Sequence, residues 1–123
     1  MANEAENIVN DFCKAFERKN IDELMGYFTD DAVYHNMPME PAKGKAAIRA
    51  ALNSYLPGAD KIEFKILHSG SNGNIVFNER LDRFDIGPKR IELPVAGVFE
   101  VLGGKITLWR DYFDLQSYTK QMS

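Results

Sequence analysis

Apolar positions recur at helical spacing through the first part of the chain and alternate singly through the second. In residues 4–19, Ile8, Val9, Phe12, Cys13 and Phe16 share one face, with Glu6, Asn10, Lys14, Glu17 and Arg18 opposite, which predicts an amphipathic helix. Asn20 fits an N-cap followed by acids in the first turn. Ile21, Leu24, Met25 and Phe28 supply the stripe of a short second helix. A short strand over 32–36 follows, then a loop holding Pro38 and Pro41. An alanine-rich third helix spans about 43–55 and stops at Pro57-Gly58.

From Lys61 onward the period becomes two. Asn72-Gly73, Gly87-Pro88 and Gly103-Gly104 cut this half into strands over 60–70, 74–86, 89–101 and 105–115. Strands of this length predict strong curvature. Three N-terminal helices followed by a curved, mixed but mainly antiparallel sheet is an α+β plan, a cone-shaped barrel whose interior is a pocket wherever side chains do not fill it. The pattern contains no repeat, linker or low-complexity stretch, so residues 1–123 read as a single domain.

Composition narrows the class. With 45% hydrophobic and 27% charged residues and a net charge of −3, the chain reads as an ordinary globular protein, neither disordered nor a basic nucleic-acid binder. Its single cysteine, Cys13, has no internal disulfide partner, and no Cys/His spacing matches a zinc site. The polar, acidic MANEAEN start is unlike a secretory signal, and no apolar run is long enough to span a membrane. The expected location is cytoplasmic, with no membrane partner. With no glycine-rich nucleotide fingerprint and no His-based metal motif, no cofactor or metal is expected.

Alternation groups the polar residues of three strands. Val76, Asn78, Arg80, Asp82 and Phe84 share a face, as do Thr107, Trp109, Asp111 and Phe113, and Tyr34 falls with Asn36. Which face points inward is left open. Arg80 and Asp82 could form a solvated charge ladder, whereas a carboxylate beside Trp109 and Phe113 is costly unless paired or protonated. His35 and His68 lack a triad or metal partner and read as surface residues, and Cys13 reads as core or pocket wall.

Tyr34-His-Asn36, Arg80-Leu-Asp82 and Trp109-Arg-Asp111-Tyr-Phe-Asp114, in this order and on these strands, resemble the limonene-1,2-epoxide hydrolase family. That family shares its cone-shaped fold with ketosteroid isomerase and nuclear transport factor 2. The resemblance spans nearly the whole chain and implies a cofactor-independent enzyme that opens an epoxide with water. By that resemblance Asp111 is the general base for a water also held by Tyr34 and Asn36. Asp82 is the general acid at the epoxide oxygen, and Arg80 bridges the two carboxyls. Such a pair works only when the two differ in protonation, and burial with like charge favours one shared proton.

The expected pocket walls are Phe84, Trp109 and Phe113, with Leu93 and Val95 from the neighbouring strand and Phe16 from the first helix. An apolar lining with a few converging polar groups suits a small hydrophobic, terpene-like or cyclic epoxide. On the other sheet face, Phe77, Leu81, Val98 and Leu108 form an apolar patch that a homodimer would cover. Two alternatives share the fold: an isomerase or polyketide cyclase of the ketosteroid isomerase type, and a non-catalytic ligand-binding module. The bridging Arg80 argues against the first, and the second has no need of a buried Asp–Arg–Asp unit.

Overall fold

Strand β5, Lys89–Leu102, alternates without a break: Ile91, Leu93, Val95, Gly97, Phe99 and Val101 are buried, and the residues between them face outward. A computed structural model, describing residues 3–123, places this strand near the middle of a six-stranded sheet ordered β2-β1-β6-β5-β4-β3. Met1 and Ala2, which open the polar N-terminal stretch, lie outside the described residues. The remaining strands are β1 (Phe28–Asn36), β2 (Ala42–Lys43), β3 (Lys61–Asn72), β4 (Ile75–Ile86) and β6 (Lys105–Tyr112). β3 to β6 form an antiparallel meander, β2 pairs antiparallel with β1, and β1 lies parallel to β6. The sheet is mixed and mainly antiparallel as expected. It stays open at β2 and β3 instead of closing into a barrel.

Helices α1 (Glu4–Ala15), α2 (Ile21–Met25) and α3 (Lys45–Asn53) cover the inner face. α1 buries Val9, Phe12 and Cys13, and Phe16 follows on a short 3₁₀ turn. The Asn20 side chain accepts from the Glu23 backbone N–H at 3.2 Å, the N-cap that its position predicts. No helix among the described residues is long and apolar enough to cross a membrane.

Four elements differ from the expectation. Phe28 opens β1 and does not close α2, because Gly26 caps that helix. Residues 42–43 pair with β1, so α3 begins only at Lys45, after Gly44 at φ 88°. The strand expected to reach residue 115 ends at Tyr112. A fourth helix, α4 (Leu115–Met122), follows, with Asp114 accepting from the Gln116 N–H at 3.1 Å. Finally, a register shift between β5 and β6 aligns Val101 with Ile106 and Glu100 with Leu108. This bulge turns Ile106 inward, beside Trp109, against strict alternation.

Candidate active site

Four neighbouring strands, β1, β6, β5 and β4, bring the polar residues together on the inner face. Parallel pairing of β1 with β6 sets Tyr34 beside Trp109 and Asn36 beside Asp111. The Tyr34 ring stacks on the Trp109 indole, 3.9 Å between centroids and 12° between planes. One strand further, β5 supplies Gly97 opposite Asp111, and Gly97 also faces Asn78 of β4.

Arg80 ties β4 to β6. Its Nε donates to Asp82 Oδ1 at 3.0 Å and Nη2 to Asp82 Oδ2 at 2.9 Å, a two-point clamp. A second clamp runs from Nη1 to Asp111 Oδ1 at 3.1 Å and from Nη2 to Asp111 Oδ2 at 2.8 Å. The guanidinium is fully buried and its carbon lies 4.9 Å from the Phe64 ring centre. A solvated charge ladder is therefore ruled out. Burial of one cation with two carboxylates is tolerable only because every charge is paired and hydrogen-bonded.

Both carboxyls line a cavity of about 420 Å³ enclosed by the inner sheet face, α3 and α4. Tyr34 and Asn36 line it too, and its apolar wall includes Phe64, Phe84, Ile86, Leu93, Val95 and Phe113. Among the expected wall residues, Phe84, Leu93, Val95 and Phe113 thus reach the cavity, and Phe16 and Trp109 do not. Phe16 is buried behind Phe64, stacked on it at 4.1 Å. Trp109 sits in the aromatic core, with its indole Nε1–H donating to Asp111 Oδ1 at 2.7 Å. Alternation places Trp109 on the correct face but says nothing of this i, i+2 hydrogen bond.

Several contributors go unread in the sequence. Tyr55, just after α3, lines the cavity, as do Leu115 and Tyr118 of α4. Asn78 lies on the same face as Arg80 and Asp82, which alternation does reveal, though not its contact with Arg80. His68 pairs with Glu79 on the exposed surface at 2.9 Å. No three His, Cys, Asp or Glu side chains come together as a metal centre among the described residues.

The electrostatics separate the groups. Burial pushes the Asp82 carboxyl up to about 6; the Arg80 charge and hydrogen bonds oppose the rise and the nearby Asp111 charge adds to it. For Arg80, burial disfavours the charge, but Asp111 and Asp82 hold its pKa well above the usual value. Burial also raises the Tyr34 hydroxyl, Asp111 adding to the effect and hydrogen bonds with Tyr55 and Asn36 opposing it. Tyr34 is therefore a neutral donor at physiological pH.

The arrangement can give a proton from one carboxyl and take one at another across a largely apolar cavity. Residues 3–123 match the limonene-1,2-epoxide hydrolase catalytic domain. The chain is 38% identical over 112 residues to the epoxide hydrolase EphG of Mycobacterium tuberculosis, covering 91% of this chain and 74% of that one. It superposes on a solved M. tuberculosis LEH-like epoxide hydrolase with a TM-score of 0.84 at 37% identity, over 96% of this chain and 88% of the other. A SnoaL-like protein from Shewanella putrefaciens, at 15% identity and TM-score 0.87 over 99% and 98% of the two chains, shares the fold alone. The chain belongs to the limonene-1,2-epoxide hydrolase family.

Proposed function

We propose that this epoxide hydrolase adds water to a hydrophobic, cyclic or terpene-like epoxide in a single step without a covalent enzyme intermediate. The observation that carries the reading is the double clamp of Arg80 on Asp82 and Asp111, both facing one apolar cavity. Asp111 takes a proton from a water that Tyr34 and Asn36 help to hold. The water oxygen forms its bond to one ring carbon as the bond from that carbon to the ring oxygen breaks. The departing oxygen takes the proton of Asp82, and a vicinal diol leaves. Exchange with solvent returns a proton to Asp82 and removes one from Asp111. Arg80 holds both carboxyls in register and offsets the charge that moves between them.

Arg80 and Trp109 fill Asp111 Oδ1, whereas Asp111 Oδ2 and both Asp82 oxygens, each bound once by Arg80, keep lone-pair capacity for a proton or a water. Burial raises the Asp82 carboxyl to about 6, the direction that a proton donor needs. The wall of Phe64, Phe84, Leu93, Val95 and Phe113 rewards apolar substrate surface at ~25 cal/mol per Å².

Single-turnover hydrolysis of cyclohexene oxide or limonene-1,2-epoxide in H₂¹⁸O tests the step. Diol carrying one ¹⁸O from the first turnover is expected. Unlabelled diol in that turnover would place the oxygen on a carboxylate first and overturn the one-step route.

We also propose that a second copy of the chain covers the outer sheet face. Phe77 and Tyr112, 47% and 44% exposed, lie there with Pro94, Ala96 and Val98 on adjoining strands. The same face carries Glu79 and Arg110, so a two-fold axis would bring opposite charges together reciprocally. Sedimentation at micromolar concentration should give a dimer mass, and Phe77→Lys should give a monomer. A monomeric wild type would overturn the assignment.

A further inference from the structure

A guanidinium has five N–H donors. In Arg80 four of them serve the two carboxyls, and the fifth goes to Asn78 Oδ1, 3.1 Å from Nη1. Asn78 is itself 5% exposed and absent from the cavity wall. Its Nδ2 donates to the Sγ of Cys13 on α1 at 3.6 Å, which fixes the amide with its oxygen toward Arg80. The Cys13 thiol is fully buried and its pKa is pushed up to about 12, so it stays a neutral acceptor.

Arg80 reaches Asp111 by crossing β5, a span of two strand spacings, roughly 9–10 Å. It crosses at Gly97. A Cβ there would lie 2.6 Å from Arg80 Nη1, 2.8 Å from Asn78 Oδ1 and 2.9 Å from the Phe99 ring. Gly97 does not have a positive φ. Its requirement is space, at the one point where the guanidinium and its amide partner press against the strand.

We propose that Asn78 and Gly97 are positioning residues for the Asp82–Arg80–Asp111 unit: Gly97 leaves the gap through which Arg80 bridges β4 and β6, and Asn78 occupies its fifth N–H without adding charge. The assignment rests on the role given above to the two carboxyls. A neutral acceptor matters because one cation already faces two carboxyls, and a third would raise the proton affinity of the pair. Glu40, exposed before β2, and Tyr118 of α4 line the same cavity, and the titratable groups that feel the charges of the unit are Cys13 from α1, Tyr34 from β1 and Tyr55 after α3. Burial raises all three, so none becomes an anion near neutral pH. The neighbours on β3 and β5, Phe64, Val95 and Gly97, carry no charge.

Asn78→Asp keeps the shape and the acceptor but adds an ionisable group. ¹³C-NMR titration of aspartate-labelled protein follows the Asp82 and Asp111 carboxyls whether or not any epoxide is turned over. Their titration should move upward by about one pH unit, in the direction that an added like charge dictates, and the kcat profile should move with it. A titration superimposable on the wild type would overturn the role of Asn78 even if hydrolysis is established. Absence of diol from wild type would instead sink the hydrolase reading alone. Gly97→Ala should lower kcat about 100-fold, the scale of a 1 Å misplacement, with KM within about threefold because Gly97 does not touch the cavity. A Gly97→Ala enzyme that melts like wild type and keeps its kcat would overturn the second half.

Discussion

Asp111→Asn should lower diol formation by about 10²–10⁴-fold, the contribution of a positioned general base. The loss is chemical and also geometric. Three donors converge on this carboxylate: Arg80 Nη1 and Trp109 Nε1 on Oδ1, and Arg80 Nη2 on Oδ2. The single oxygen of an asparagine satisfies the Oδ1 pair, which leaves its amide nitrogen facing Arg80 Nη2, donor against donor. Asp82→Asn meets the same conflict, since both Asp82 oxygens accept from Arg80. The two variants part company on substrate. An epoxide whose ring carbon stabilises positive charge, such as styrene oxide, breaks its C–O bond ahead of attack, so it leans less on a base at the water and fully on protonation of its oxygen. It should therefore recover more of the wild-type rate in Asp111→Asn than in Asp82→Asn. Wild-type turnover should decline as pH rises through about 6, where Asp82 gives up its proton. That limb should be missing in Asp82→Asn. Equal loss of both variants on every epoxide, with the limb retained, would remove the division of labour between acid and base.

What alternation could reveal was a shared face, and for Arg80, Asp82, Tyr34 and Asn36 that was enough to group them. It could not say that the face points inward. Three long-range facts decide that: the parallel pairing of β1 with β6, the gap at Gly97, and the apolar helices packed above. The unbroken pattern of β5 was legible because every second residue is large and apolar apart from Gly97. The wall was legible in part for the same reason, through Leu93, Val95, Phe84 and Phe113. An apolar helical stripe does not distinguish a wall from the layer behind it, which is where Phe16 lies, with Phe64 stacked on it. Alternation puts Trp109 on the wall's face, but its indole N–H bond to Asp111 holds the ring in the core behind. The last helix starts inside the run that alternation assigns to a strand, and its short stripe of Leu115, Tyr118 and Met122 contains no fully buried residue. It is held on β5 instead by polar contacts, including the Gln121 side chain paired with both backbone groups of Glu92 at 2.8 and 2.9 Å.

Arg80→Leu should be the most destabilising substitution in the site, and its cost should depend on pH. The side chain is replaced by an apolar group of smaller volume, and two buried carboxyls lose the one cation paired with them among the described residues. Breaking a buried pair in this way costs about 3–5 kcal/mol, chiefly because charge is left uncompensated. The carboxyls can escape that cost by binding protons. With Arg80 gone, burial and mutual repulsion raise both folded-state affinities for protons above their unfolded values. A raised carboxyl contributes stability at low pH and loses it as pH climbs through the folded pKa. Wild type should show a modest form of this loss, between the ordinary carboxyl range and about pH 6, from Asp82 alone. The variant should show a larger one, extending to higher pH. Thermal melting at pH 5 and pH 8 measures it: the deficit of Arg80→Leu relative to wild type should be far greater at pH 8. Arg80→Lys supplies the control, because an ammonium keeps the charge but cannot present two parallel forks. It should recover much of the stability at pH 8 while leaving turnover low. An equal deficit for Arg80→Leu at both pH values would mean that the guanidinium acts mainly by filling space. The two carboxyls would then need another source for their difference in protonation, and the acid–base division built on that difference would fall with it.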